Sequence, residues 1–136
     1  MTNIEKLDAF FGSPPDCYFL ATVDGDTPKC RPLGLHHLYQ NRIYFGVGDF
    51  KEVYKQLQAN PKAEIVAVRN GMNWVRINGK AVFEKDDAPV VKEIYKNFMM
   101  RRHYEANGWR LKIFHMADAT VQYISNMTVT ETFHMD

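Results

Sequence analysis

The chain has 136 residues, 46% hydrophobic, 13% aromatic and 24% charged, which is a globular composition of one-domain size. A formal net charge of +1 gives no electrostatic case for nucleic acid or an anionic membrane surface as partner. The N-terminus, MTNIEKLDAFFGSPP, lacks the apolar run of a signal peptide, and no window approaches the ~20 apolar residues of a membrane span, so the expected location is cytoplasmic.

The first stretch places Ile4, Leu7, Phe10 and Phe11 on one helical face, with Thr2 or Asn3 as cap and GSPPD as stop. CYFLATV reads as a strand, and DGDTP as a turn in which Gly25 takes the unusual dihedrals. KCRPLGLHHLY reads as a second strand, with Pro32 and Gly34 marking an edge or a bulge. QN makes the next turn and RIYFGVG a third strand. DFKEVYKQLQA is a short amphipathic helix with Phe50, Val53, Tyr54 and Leu57 on one face, ended by Asn60-Pro61. AEIVAVR and NWVRINGKAVFE are the next two strands, turning at NGM. The second alternates, with Val75, Ile77, Gly79, Ala81 and Phe83 on one face and Trp74, Arg76, Asn78, Lys80 and Val82 on the other. DDAPVVKEIYKNFMMRRHYEA reads as one helix with acids at its start and basic residues at its end. WRLKIFHM and ATVQYIS follow as two strands or one long bent strand, and the tail NMTVTETFHMD carries weak local signal. Short turns between abundant strands predict a mainly β single domain over residues 1–136, an antiparallel sheet or barrel of six to seven strands with helices over its ends.

Self-contained catalytic motifs are absent. There is no G-x-G-x-x-G, Walker A loop, HExxH or G-x-S-x-G. His36 and His37 are adjacent on a strand and point to opposite faces, so no metal site is expected; one is read as buried and one as exposed. His103 and His115 have no visible partner. Cys17 and Cys30 form no CxxC or zinc spacing and are expected as buried thiols. If the chain is an enzyme, a cofactor carries the chemistry.

Four pieces in order carry a resemblance: FLATVDGDTPKCRPLG, IYFGVGDFKEVYKQLQANPKAEI, NWVRINGKAVF and the helix DDAPVVKEIYK. Together they resemble the FMN-binding split β-barrel proteins related to pyridoxamine 5′-phosphate oxidase. The resemblance implies an antiparallel split barrel that dimerises and holds two FMN molecules between subunits. It implies that Arg31, Pro32, Leu33 and Gly34 meet the flavin, that Val47, Gly48 and Lys51 grip its phosphate, and that Asn73 and Trp74 reach across the dimer with Arg76 nearby.

Physical chemistry agrees with this implied set. The phosphate is close to a dianion; Lys51 at a helix start and the Arg31 fork supply two cations, and the helix end supplies N–H donors. Two departures are evident. Phe50 stands where the family often has serine or threonine, and Asp49 is a good N-cap whose carboxylate would repel a phosphate placed there. Arg101 to His103, RRH, lies on an expected helix and does not match the substrate motif of the true oxidases, so vitamin B6 oxidation is not expected. The resulting expectation is a flavin oxidoreductase with a small-molecule electron donor and acceptor. No residue must be a proton donor; Tyr18, His36, His37 and Tyr123 are candidates only. The rivals are a flavin sensor or carrier, and a barrel that binds deazaflavin, haem or single-stranded nucleic acid.

Overall fold

The structure, a computed structural model, describes residues 1–12 and 17–136; the expected Pro14-Pro15 stop lies outside them. A helix α1 (Asn3–Phe11) is followed by β1 (Tyr18–Asp24), β2 (Thr27–Leu33), β3 (His36–Tyr39), β4 (Arg42–Gly48) and α2 (Glu52–Ala59). Then come β5 (Lys62–Asn70), β6 (Asn73–Phe83), α3 (Pro89–Lys96), α4 (Arg101–Asn107), β7 (Leu111–Ser125) and β8 (Thr128–Met135). All strand pairs are antiparallel, in the order β2-β1-β5-β6-β7-β4-β3, with β8 on β7 off this path.

That order forces a curl. β2 and β3 are the two edges of the seven-strand path, yet only Gly34 and Leu35 separate them in sequence. In a flat sheet these edges would lie roughly 29 Å apart, whereas the chain from Leu33 to His36 reaches at most about 11 Å. The sheet therefore rolls until its edges nearly meet, which is a split barrel. α1 packs against β3, β4 and β5 beside the split, and Leu7 and Phe11 enter the main core with Phe45, Ile65, Val75, Ile77, Phe114 and Val121. Thr2 caps α1 with a full capping box shared with Glu5.

Several expectations are corrected. KCRPLGLHHLY is two strands at opposite edges, not one; Pro32 does lie on an edge strand, where its missing N–H costs no ladder bond. The expected long helix is broken into α3 and α4. Its apolar face runs through Val90, Val91 and Ile94, and one more pair of turns would aim Arg101 at the core; the break buries Tyr104 instead. The aspartates do not open α3, whose cap is Ala88. Asp86 binds Lys112 at 2.9 Å and Arg110 at 3.3 Å. WRLKIFHM and ATVQYIS form one long strand, bent at Asp118, which has φ 47°. The bend faces Gly79, where an added Cβ would sit 2.7 Å from the Ala117 carbonyl oxygen. Only glycine admits that approach. The tail is a true strand, turned at Asn126-Met127.

Both cysteines are exposed rather than buried. Arg31 and Tyr18 take the inward positions, so the neighbours Cys30 and Cys17 face outward. His36 and His37 are both half-buried; His36 packs on the Phe11 ring at 5.3 Å. Tyr123 is 7% exposed and its hydroxyl has no hydrogen-bond partner among the described residues. An orphaned buried hydroxyl costs about 1–3 kcal/mol. Tyr123→Phe therefore leaves the fold intact and raises the urea midpoint; a lower midpoint would mean that the hydroxyl is satisfied.

Candidate functional site

The third expected strand, RIYFGVG, is β4, and its end delivers the loop that leads into α2. Val47 is committed to the main core and its backbone pairs with Lys112 of β7. Gly48 is enclosed: a Cβ there would overlap the Phe50 ring and lie 2.8 Å from the Tyr104 hydroxyl. Asp49 does not cap α2. It is clamped to the start of β7, with its N–H donating to the Arg110 carbonyl at 2.9 Å and its carboxylate accepting from the Arg110 N–H at 2.9 Å. Its charge is thus engaged away from the helix axis. Phe50 stacks on Trp109 at 3.8 Å with an interplanar angle of 19° and meets Tyr104 edge-on.

These anchors leave Lys51 as the N-cap of α2, with no side chain capping the first-turn N–H groups. Lys51 is exposed and has no ion-pair partner among the described residues; its amine lies 5.9 Å from the Phe50 ring centre. An uncapped helix start next to a free cation accepts an anion.

Arg31 reaches the same helix from β2. Its Nη1 donates to the Thr22 hydroxyl at 2.8 Å and to the Leu20 carbonyl at 3.1 Å, and its Nη2 donates to the Gln56 side-chain oxygen at 2.8 Å. Thr22 in turn donates to Gln56 at 2.6 Å. Gln56 lies one turn beyond Glu52 on α2. Thr22 and Gln56 therefore hold the end edge of the guanidinium between Nη1 and Nη2. The side edge, Nε–H with the second Nη2–H, has no partner among the described residues. That edge is the one that takes two oxygens of a phosphate side by side. Burial pulls the Arg31 pKa down from its ordinary value, but a guanidinium stays charged at any neutral pH.

The Thr22–Gln56 clasp was not found by sequence reasoning. Thr22 sits mid-strand and Gln56 mid-helix, and neither has a motif of its own. Thr22→Val keeps the shape and removes the hydroxyl. It is expected to weaken binding of a phosphate ligand several-fold, about 3–10-fold, with Thr22→Ser restoring it. Equal loss in both variants, read by flavin fluorescence titration, would assign Thr22 to packing alone.

The rest of the expected set is dispersed. Pro32 is exposed and opposite Phe19, Leu33 packs against the core, and a Cβ at Gly34 would meet nothing within 4 Å among the described residues. Asn73 and Trp74 fall on β6, not the fifth strand, because β2 and β3 are separate. Asn73 binds Asn70 at 2.6 Å and Ser125 at 2.6 Å, and the Arg76 guanidinium lies 5.2 Å from the Trp74 ring centre. Trp74 pairs with Ile124 of β7 and Gly48 with Leu111 of β7. The strand between them has a contour of roughly 40 Å. Gly48 and Trp74 thus meet β7 toward opposite ends of that strand.

The proton-donor candidates divide. Tyr18 is 1% exposed, donates to the Leu35 carbonyl at 2.7 Å, and burial drives its pKa far up. Burial, helped by Glu131, pushes Tyr123 up to about 12. Both hydroxyls therefore stay protonated near neutral pH. His115, which seemed isolated in sequence, faces Glu84 at 3.0 Å; burial and Arg42 hold its pKa below the ordinary value. Among the described residues, no group of three His, Cys, Asp or Glu residues could hold a metal, and no helix is long and apolar enough to cross a membrane.

The fold is that of a small split-barrel protein, with an uncapped helix start at Lys51 and a clasped arginine, Arg31. A family model described as pyridoxamine 5′-phosphate oxidase matches residues 4–129, and the chain belongs to that family. A nimc/nima family protein from Clostridium acetobutylicum shares the fold with a TM-score of 0.78 at 22% identity, over 97% of this chain and 92% of that one. General Stress Protein 26 from Bacillus anthracis matches with a TM-score of 0.67 at 16% identity, over 99% and 100% of the two chains. The haem storage protein of Vibrio cholerae matches with a TM-score of 0.60 at 12% identity, over 99% and 98%. No curated protein matches the chain.

Proposed function

We propose that this chain is an FMN-binding flavoprotein of the cytoplasm, working as a homodimer and as an oxidoreductase on a small-molecule donor and acceptor. The observation that carries the reading is the Arg31 guanidinium. Its end edge is fastened by Thr22 and Gln56 and its side edge is left for a phosphate, beside a helix that starts at Lys51 without a cap. Bound FMN supplies hydride or single-electron exchange at its ring. The chain's own part is to hold the phosphate with Lys51, Arg31 and the first N–H groups of α2, and to orient the ring from the Arg31–Gly34 backbone.

The dimer supplies the missing half. Trp74 and Val68 are register partners, as are Phe19, Val66 and Arg76 across β1, β5 and β6. Phe19 and Val68 are exposed, which gives this outer face an apolar strip next to Trp74. A second copy covering the strip brings its Asn73 and Trp74 toward the α2 loop of the first.

Haem is the second reading, favoured by the Vibrio cholerae haem storage protein and by a haem-binding protein from Mycobacterium smegmatis of similar fold. One experiment separates the two. Freshly purified protein is examined by absorbance, its released ligand by mass spectrometry, and the stripped protein is titrated with FMN. Expected are flavin bands, saturation in the micromolar range near one FMN per chain, and a light-scattering mass twice 15.8 kDa. A Soret band with no saturable FMN binding would replace flavin by haem.

A further inference from the structure

We propose that a groove between α3, α4 and the start of β7 binds a flat aromatic carboxylate. The groove has a volume of about 430 Å³, within the size range of small-molecule sites. Val91 and Leu111 form an apolar floor, and the rings of Tyr95 and Trp109 line its sides. Such a surface selects a planar apolar body.

The polar groups at the rim select the charge. Asp86 is neutralised by Lys112 at 2.9 Å and Arg110 at 3.3 Å. Glu105 accepts from the Tyr95 hydroxyl at 3.1 Å and from Arg101 at 3.3 Å. Asp86 is engaged through both oxygens and Glu105 through Oε1. Lys92 has none among the described residues, and neither does the Trp109 indole N–H. Among the described residues, the groove lining thus offers one unpaired cation, Lys92, and one unpaired donor, the Trp109 indole N–H. A carboxylate satisfies both, accepting from the Lys92 amine and the indole N–H.

The groove adjoins the candidate phosphate loop but is separate from it. Trp109 presents one ring face to Phe50, and Asp49 and Arg110 lock the loop to β7. Occupancy is therefore measurable without flavin, and its failure leaves the FMN reading untouched.

The test uses the full chain, stripped of flavin, and 2-naphthoate as probe. The chain has two tryptophans, so its ¹H–¹⁵N spectrum carries two indole signals, assigned with Trp109→Phe. Expected is a saturable shift of the Trp109 signal at submillimolar naphthoate with the Trp74 signal unmoved. Lys92 is exposed, so Lys92→Gln keeps the fold; it should weaken naphthoate about five-fold. The uncharged 2-naphthalenemethanol should bind wild type and Lys92→Gln alike, and more weakly than the acid binds wild type. No saturation at millimolar naphthoate, or equal naphthoate affinity in Lys92→Gln, overturns the proposal.

Discussion

Lys51→Ala and Arg31→Ala are each expected to weaken FMN by about ten-fold or more and to leave riboflavin almost unchanged. A charge-assisted contact to a phosphate is worth roughly 1.5–3 kcal/mol when partly desolvated, and 1.4 kcal/mol is ten-fold in affinity. Riboflavin lacks the phosphate, so the ratio of FMN to riboflavin affinity isolates that contact from any effect on the ring or the fold. Arg31→Ala should show the larger loss. Its side edge donates to two oxygens in fixed geometry, whereas Lys51 is an exposed point charge that solvent screens. Asp49→Ser supplies a control with a stated sign. The Asp49 carboxylate is tied to the Arg110 N–H, so its removal loosens the loop and shifts both ligands in the same direction. A selective gain for FMN would mean that Asp49 faces the phosphate. If the ratio is unchanged in both Lys51→Ala and Arg31→Ala, the α2 start is a solvated helix end and the phosphate is held elsewhere.

The barrel was legible because its signals are local and repeated. Alternation in NWVRINGKAVF fixes β6, with Val75 and Ile77 fully buried on the predicted face. Pro32 marks an edge strand for a reason that needs no tertiary knowledge. What escaped was set by distant partners. The break between β2 and β3 follows from barrel closure; Pro32 and Gly34 mark an edge or a bulge but not a change from one sheet edge to the other. Asn126-Met127 turns the last hairpin with two positive φ angles and no glycine, so β8 carried no turn signal. Asp49 has the sequence of a cap, but Arg110, 61 residues away, captures its carboxylate. The same distinction holds at the site. Lys51 at a helix start is visible in one dimension, whereas the clasp that aims Arg31 joins β1, β2 and α2 and exists only in the fold.

Mixed dimers should recover tight FMN sites that neither mutant homodimer has. In the proposed shared site the α2 half comes from one subunit and the Trp74 half from its partner. A homodimer of the double variant Arg31→Ala/Lys51→Ala has two sites that both lack the phosphate grip. A homodimer of Trp74→Ala has two sites that both lack the aromatic contact, whose loss is expected to cost about ten-fold or more in affinity. In a heterodimer of the two, one site collects both defects and the other receives a native α2 half and a native Trp74. Differently tagged chains allow the heterodimer to be isolated, and titration should then give one tight FMN per dimer with an affinity close to wild type. Within a chain Gly48 and Trp74 pair with β7 at Leu111 and Ile124, toward opposite ends of that strand, and the proposed dimer brings one subunit's α2 loop to the other's Trp74. If each site lay within one subunit, every site in the heterodimer would carry one subunit's defect and no tight site would return. Arg76, packed against Trp74 at 5.2 Å, gives the ring a fixed orientation to preserve. Trp74→Phe should therefore retain more affinity than Trp74→Ala, by the share of the contact that an aromatic face alone provides.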